Sequence, residues 1–393
     1  MKIGEREIGP GLAPYVIAEI GVNHDGEVSR ALELTEAAAG AGADAVKLQY
    51  FETDRLLSKA AKLAAYQKAA GETDPVAMLR RLELTLEEMG LVVDRAHELG
   101  IHAIVTVFSV ELVKRAQSLA WDAYKSASPD VVNRPLLEAL AGTGKALIVS
   151  TGASTLEEVV RAVGWLEGIR DRLAVLQCVS CYPAPPDQLG LGGIRVLEEA
   201  LSVPVGYSDH SSDASVAWGA GAFGACILEK HITDDPTRAG PDHAASLSIK
   251  DLRAYQGIAR WGCEHQGAIS RMIAEGLPEW GWQNWAKWLG LDPDTNEGIE
   301  RGAATEMRYA WIALKENAIE KRVLECERDV REVARQSLTT TRAISVGETV
   351  SRPDVTIKRP GTGIEPFRLD EVVGRKLARA VDADMPLTEK DLA

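Results

Sequence analysis

The sequence predicts an α/β fold: a (β/α)₈ barrel of the TIM type, followed by a helical insert and a small C-terminal domain. Three observations carry this. Residues 1–261 alternate eight short apolar runs with helix-like stretches, residues 262–333 break that rhythm, and residues 334–393 are short β-prone pieces joined by turns. Eight β–α units over roughly 250 residues is the arithmetic of a closed parallel barrel. An open doubly wound sheet is the alternative, but no G-x-G-x-x-G follows the first run.

The eight runs are Tyr15–Ile20, Asp44–Gln49, His102–Val107, Ala123–Ser126, Ala146–Ser150, Ala174–Val179, Val203–Tyr207 and Cys226–Lys230. They are too short for helices and mostly rich in Val and Ile, as strands buried on both faces should be. Between them, Arg30–Ala39, Leu86–Leu99 and Leu156–Leu166 have the Ala, Leu, Glu and Arg composition of helices. Ser154-Thr155-Leu156-Glu157-Glu158 reads as a capped helix start. In the insert, Trp280, Trp282, Trp285 and Trp288 recur at near-helical spacing, and a charged helical stretch runs from Glu306 to Glu332. Such a stripe reads as a packing surface against the barrel or a second copy, with a sugar-binding patch as the sharper alternative. In the last domain, Ser337–Ala343 and Val355–Lys358 read as strands, separated by turns such as Val346-Gly347-Glu348.

At 393 residues and 46% hydrophobic, the chain has ample material for a large core. Its formal net charge of −14 argues against nucleic acid and anionic membrane as partners. No apolar run is long enough to span a bilayer and Met1–Pro10 has no apolar signal core, so the expected setting is the cytoplasm. The five cysteines, an odd number at scattered spacing, argue against a disulfide framework. Cys178-Val-Ser-Cys181 is formally a C-x-x-C, but it ends a strand rather than opening a helix, which disfavours redox or zinc chemistry.

In such a barrel, functional groups stand at the C-terminal ends of the strands. Those ends supply Glu19, Lys47 with Gln49, Thr106, Lys125 with Ser128 and Asp130, Ser150, Ser180 with Tyr182, Ser208 with His210, and Glu229 with His231; Asp242 follows in a Gly-Pro-Asp-His loop. Lysines inside apolar strands are costly unless an anion pairs with them. Lys47 and Lys125, facing one mouth with hydroxyls around them, point to a buried dianion such as a phosphate; pairing with barrel carboxylates is the alternative. His210 and His231, at neighbouring strand ends, suit a divalent transition metal.

The runs Ala18-Glu19-Ile20-Gly21-Val22-Asn23-His24-Asp25-Gly26, Val46-Lys47-Leu48-Gln49, Tyr124-Lys125-Ser126-Ala127-Ser128, Tyr182-Pro183-Ala184-Pro185, Gly206-Tyr207-Ser208-Asp209-His210, Leu228-Glu229-Lys230-His231 and Gly240-Pro241-Asp242-His243 appear in order. Together they resemble the sialic acid synthase (N-acetylneuraminate synthase) family. The tail, through Arg335-Gln336-Ser337-Leu338 and Lys358-Arg359-Pro360-Gly361, resembles that family's antifreeze-like (SAF) domain. The resemblance implies condensation of phosphoenolpyruvate with the aldehyde of an N-acylated mannosamine-type sugar, or of a legionaminic- or pseudaminic-type precursor, in a domain-swapped homodimer. A catalytically inactive binding subunit is the remaining alternative. The resemblance implies Mn²⁺ or Mg²⁺ on His210 and His231, and phosphoenolpyruvate on Lys47, Thr106, Lys125, Ser128, Ser150 and Ser208, with Gln49 and Ser180 also lining the substrate site. It implies the sugar on Glu19, Tyr182 and Asp242, with Asp130 or Glu19 handling protons. The family often has Glu at Asp130, Asn at Ser180 and a basic residue at Gln336; Arg335, one position away, is the substrate-facing lid residue expected here.

Overall fold

The computed structural model describes residues 1–267 and 320–393. The tryptophan stripe at Trp280, Trp282, Trp285 and Trp288, and the first part of the stretch Glu306–Glu332, lie outside the described residues.

A two-strand hairpin, β1 (Lys2–Ile3) and β2 (Arg6–Glu7), precedes the barrel. The barrel strands are β3 (Tyr15–Glu19), β4 (Ala45–Tyr50), β5 (His102–Val107), β6 (Ala123–Ser126), β7 (Ala146–Ser150), β8 (Leu173–Cys178), β9 (Val205–Asp209) and β10 (Ile227–Thr233). All neighbours pair parallel, and β10 closes the ring on β3 with Ile227 opposite Tyr15 and His231 opposite Glu19. Two expected strands move. β9 begins only after Pro204, which has no N–H to give the ladder. β10 runs on to Thr233 because the short β11 (Leu247–Ser248) pairs beside it at Ile232.

The side-chain period of two explains how the barrel is filled. The inward residues form an apolar layer in which Ile17, Ala45, Ile104, Ala123, Ile148, Leu176 and Ile227 cluster with Ile3 and Ile8 at the N-terminal end. Gly206 completes that layer without a side chain, since a Cβ there would come within 2.4 Å of the Ile227 carbonyl. Two residues further along the same strands, the inward positions are Glu19, Lys47, Thr106, Lys125, Ser150, Cys178, Ser208 and Glu229. The polar floor therefore rests on a dry plug. Outside, the strands pack on helices such as Val28–Ala41, Leu86–Glu98 and Leu156–Trp165, the last two opened by capping boxes at Thr85 and Thr155.

The C-terminal domain pairs β12 (Ser337–Thr340) antiparallel with β13 (Val355–Lys358) over its own core of Leu338, Ile344, Val350 and Leu387. It covers the barrel mouth. Residues Leu57 and Arg359 form a parallel bridge, and Arg359 N donates to Leu56 O at 2.8 Å. The second tie is electrostatic. Glu158, besides capping its helix, accepts from Arg331 and Arg335 through both oxygens at 2.7–2.9 Å. Burial alone would raise the Glu158 carboxyl, but the two guanidinium groups hold it well below the usual carboxylate range.

A depressed carboxylate stabilises above its unfolded pKa of about 4.3, and that stabilisation is lost as pH falls towards the lower folded value. Glu158→Ala leaves Arg335 buried without its partner, at an expected cost of about 3 kcal/mol. Hydrogen exchange should then show the amides of Ser58 and Arg359 opening earlier at neutral pH, with little further change between pH 4 and pH 2. An unaltered exchange pattern would show that the lid is held elsewhere.

Candidate active site

The floor is a set of shared charges. Lys47 Nζ meets Glu19 Oε2, donates to Thr106 Oγ1 at 2.9 Å and lies 3.8 Å from Glu229 Oε2. Lys125 Nζ donates to Ser150 Oγ at 2.7 Å and lies 3.3 Å from Glu229 Oε1, which also accepts from Ser208 Oγ at 2.8 Å. Glu229 thus stands between the two lysines. Burial would raise its carboxyl, but Lys125 and Lys47 bring it down to about 2. Burial pushes Lys47 down to about 7, with Glu229 opposing. Both readings of the lysines meet here: they are paired with carboxylates, and they face the mouth with hydroxyls around them.

Beside the floor are the two imidazoles, ring centroids 5.5 Å apart. His210 Nδ1 is 2.7 Å from the Val179 carbonyl, so it is the protonated nitrogen and Nε2 is left with a free lone pair. His231 Nδ1 is buried with no hydrogen-bond partner, 3.8 Å from Asp242 Oδ2. Burial, reinforced by His210, keeps His231 well below the usual imidazole range, so it is neutral. Among the described residues no three His, Cys, Asp or Glu side chains gather closely enough to hold a metal unaided. The two imidazoles do fit one as half a coordination sphere, with one nitrogen lacking any partner and the other oriented by a backbone carbonyl. The cysteines add nothing to this: all five are free, and Cys178 is packed 3.7 Å from His210.

Above the floor, Tyr182 lies against His210 with centroids 4.0 Å apart, and Tyr66 stacks on Tyr182 at 4.9 Å. One wall is apolar: Val22, Met78, Leu79, Leu82 and Phe108 from the barrel loops, and Val330 from the helix Arg328–Ala334. Asp242 also lines the pocket, its carboxyl pushed up to about 6 by burial.

Glu19, Lys47, Gln49, Thr106, Lys125, Ser128, Ser150, Ser180, Tyr182, Ser208, His210, His231 and Asp242 all line this one pocket. Two residues named from the sequence do not. Asp130 is buried outside the pocket lining, both oxygens without a hydrogen bond, its carboxyl raised to about 7 by burial. The side chain, one methylene shorter than Glu, ends short of the pocket. Arg335 is turned to Glu158 and the loop at Ala153–Ser154. Gln336 is also engaged, accepting from Asn133 at 2.8 Å and donating to Phe108 O at 3.2 Å.

Sequence reasoning placed Glu229 at a strand end without a specific role and did not name Tyr66 or Arg359 for the site; all three also line the pocket. Glu229 was within reach, because it stands two residues before His231 on one strand and so shares its face. Tyr66 lies on a short helix, Ala65–Ala69, in the long connection after β4, where no periodicity marks it. Arg359 sits in a Pro-Gly run that carries the domain resemblance but no sign of which way its side chain turns.

Glu229→Gln leaves the two buried ammonium groups with one carboxylate fewer. Denaturant unfolding should record a loss of about 3–5 kcal/mol, partly restored by inorganic phosphate. Unchanged stability, with or without phosphate, would mean the lysines do not depend on Glu229.

The chain matches the NeuB family over residues 34–262 and the SAF domain over residues 335–393. It is 31% identical over 391 residues to the N,N'-diacetyllegionaminic acid synthase of Legionella pneumophila, covering 98% of this chain and 96% of that one. It is 30% identical over 245 residues to the N-acetylneuraminate-9-phosphate synthase of Homo sapiens, covering 61% of this chain and 67% of that one. The crystal structure of the spore coat polysaccharide biosynthesis protein SpsE of Bacillus subtilis superposes with a TM-score of 0.76 at 26% identity, over 100% of this chain and 99% of that one. The chain therefore belongs to the NeuB family, whose relatives named here include nonulosonic-acid synthases, and it carries a C-terminal SAF domain.

Proposed function

We propose that this protein condenses phosphoenolpyruvate with the open-chain aldehyde of an N-acylated sugar, giving a nonulosonic acid and phosphate. The observation that carries the reading is the pair of buried lysines, with their hydroxyls, facing two imidazoles across one covered mouth.

Charge supports it. The pocket wall holds Glu19, Glu229 and Asp242 against Lys47, Lys125 and Arg359, which is no net charge when the imidazoles are neutral. Such a site takes a multiply charged anion only with further positive charge. A divalent cation, Mn²⁺ or Mg²⁺, on His210 and His231 would supply that charge and Lewis-acid polarisation of the aldehyde oxygen. The rest falls to the chain's own groups. Lys47, Thr106, Lys125, Ser150 and Ser208 donate to the phosphate and carboxylate oxygens, with Ser128 at the edge. C3 of phosphoenolpyruvate forms the bond to the aldehyde carbon, water adds at C2, and phosphate leaves. Asp242, near half-protonated at pH 6, can give a proton to the new hydroxyl, and Glu19 can take one from water. The lid excludes bulk water from the charged intermediate.

On the acceptor, the apolar wall favours a second, narrower reading. Met78, Leu79, Phe108 and Val330 suit acetyl methyls and a deoxy carbon. This fits a diacetamido-trideoxyhexose of the kind the relative's name implies, ahead of a phosphorylated mannosamine. The proposed setting is the cytoplasm, where five free thiols persist; no described helix is long and apolar enough to cross a membrane.

Phosphate release from phosphoenolpyruvate with Mn²⁺ and a panel of sugars tests the reading. Product mass should identify a nine-carbon 2-keto acid, and His210→Ala and His231→Ala should each lower the rate at least about a hundredfold with the fold intact. No release with any sugar, or full activity in either variant, would reject it.

A further inference from the structure

We propose that Asp209 and Lys230 are positioning residues: a buried ion pair that ties the backbone beside His210 to the strand carrying His231, and so fixes the two imidazoles relative to each other. The inference rests on the reading above of these imidazoles as the groups that would hold a divalent cation.

The two histidines are held unequally. His231 stands inside β10, opposite Glu19 of β3, and β10 runs on to Thr233 beside β11. β9 ends at Asp209, where its ladder with β10 makes its last pairing, Lys230 opposite Asp209. His210 is therefore one residue beyond the strand. Its carbonyl accepts from Ala184 N at 2.9 Å and its ring Nδ1 is 2.7 Å from the Val179 carbonyl, both on the segment after β8. Neither bond reaches β10.

Side chains on the outer face of the sheet supply that link. The period of two turns Asp209 and Lys230 outward while His210 and His231 turn inward. Outward positions on these strands are mostly apolar, as at Val46, Leu48, Val105, Val149, Tyr207 and Leu228. Asp209 and Lys230 instead pair at 3.0 Å with neither side chain exposed. Lys230 Nζ donates to the Ser211 carbonyl at 2.5 Å and to Ser211 Oγ at 3.3 Å. Asp209 Oδ1 accepts from Ser211 N at 2.8 Å and Ser211 Oγ at 2.7 Å, and its Oδ2 accepts from the Tyr255 hydroxyl at 3.1 Å, on the helix Ile249–Glu264. The residues before and after His210 are thus both bound to the residue before His231. Apolar side chains of similar volume would pack barrel against helix at least as well, because a buried ion pair returns little net stability. They could not select one backbone carbonyl and one amide.

The test uses the full-length protein with Mn²⁺ as the probe. Asp209→Asn combined with Lys230→Met removes both charges together and severs the link to the Ser211 carbonyl, while the amide can still accept from Ser211 N. The urea midpoint should stay near that of the unaltered protein. The Kd for Mn²⁺ by calorimetry should rise about ten- to a hundredfold, as for groups that orient metal ligands elsewhere. In the metal-free protein labelled with ¹⁵N-histidine, the Nδ1 proton of His210 should exchange with water faster. Ser211→Ala, which alters no charge, should move both readouts less in the same direction, and serves if the double variant fails to fold. Leu140→Ala opens a cavity under the outer helix Arg134–Ala141 and controls for lost stability: it should lower the midpoint and leave both readouts unchanged. Unaltered Mn²⁺ affinity and proton exchange in the folded variants, or equal changes in Leu140→Ala, would overturn the assignment. If the unaltered protein takes up no Mn²⁺, the cation reading falls, and proton exchange in the metal-free variants alone decides whether the pair positions His210.

Discussion

Everything at the mouth of this barrel depends on one constraint: two lysines are buried on a dry apolar layer, and only the groups beside them can compensate their charge. Ile17, Ala45, Ile104, Ala123, Ile148 and Ile227 pack below, leaving no route for water from beneath. Glu19 and Glu229 therefore sit among the lysines, and Ser208, Thr106 and Ser150 complete the hydrogen bonds. The arrangement holds charge in balance without a ligand. It also means that an arriving anion must displace or outweigh carboxylates already in place. Lys47, brought near neutrality by burial, is poised to gain its proton when such an anion arrives. The two imidazoles beside the floor are where the missing positive charge has a natural place.

The same constraint explains the lid. A charge-balanced floor open to water would gain little from its lysines, because solvent screens such pairs. The closing domain removes that water and, with the segment 320–333 that leads into it, is held by paired groups. Glu158 binds two arginines; Glu327 accepts from Ala153 N and Ser180 N at 2.6 and 2.7 Å; Lys321 donates to Thr151 O at 2.5 Å. These contacts fall on the loops after β7 and β8, the second of which carries Ser180 and Tyr182. The loop that Glu327 braces at Ser180 thus also carries Tyr182, which lies against His210.

Much of this was legible from residues alone, because the barrel reduces to a period of two. Once Ile17, Ala45 and Ile104 are inward, Glu19, Lys47 and Thr106 must be inward one layer higher, and His231 follows Glu229 on its strand. Short apolar runs give the strands within two or three residues, and Pro204 explains the largest displacement of a start. What sequence could not give is the direction of side chains on segments without a period. Arg335 and Arg359 are both lid arginines, and only the packing of Glu158 decides that the first is structural. Asp130 follows β6 in the chain, yet its short side chain stays outside the pocket lining. Tyr66 reaches the site from a connection whose path is set by the apolar cluster of Phe51, Leu56, Met78 and Phe108, a long-range packing choice.

The central claim is that a floor without net charge needs a divalent cation before it can hold phosphoenolpyruvate. Calorimetric titration of phosphoenolpyruvate into the protein, fully chelated and then saturated with Mn²⁺, measures it directly. The account predicts binding at least about a hundredfold tighter with the cation, equivalent to roughly 3 kcal/mol at the effective dielectric of a buried site. Equal affinity in the chelated protein would contradict it, and would mean that Lys47 and Lys125 suffice against their own carboxylates.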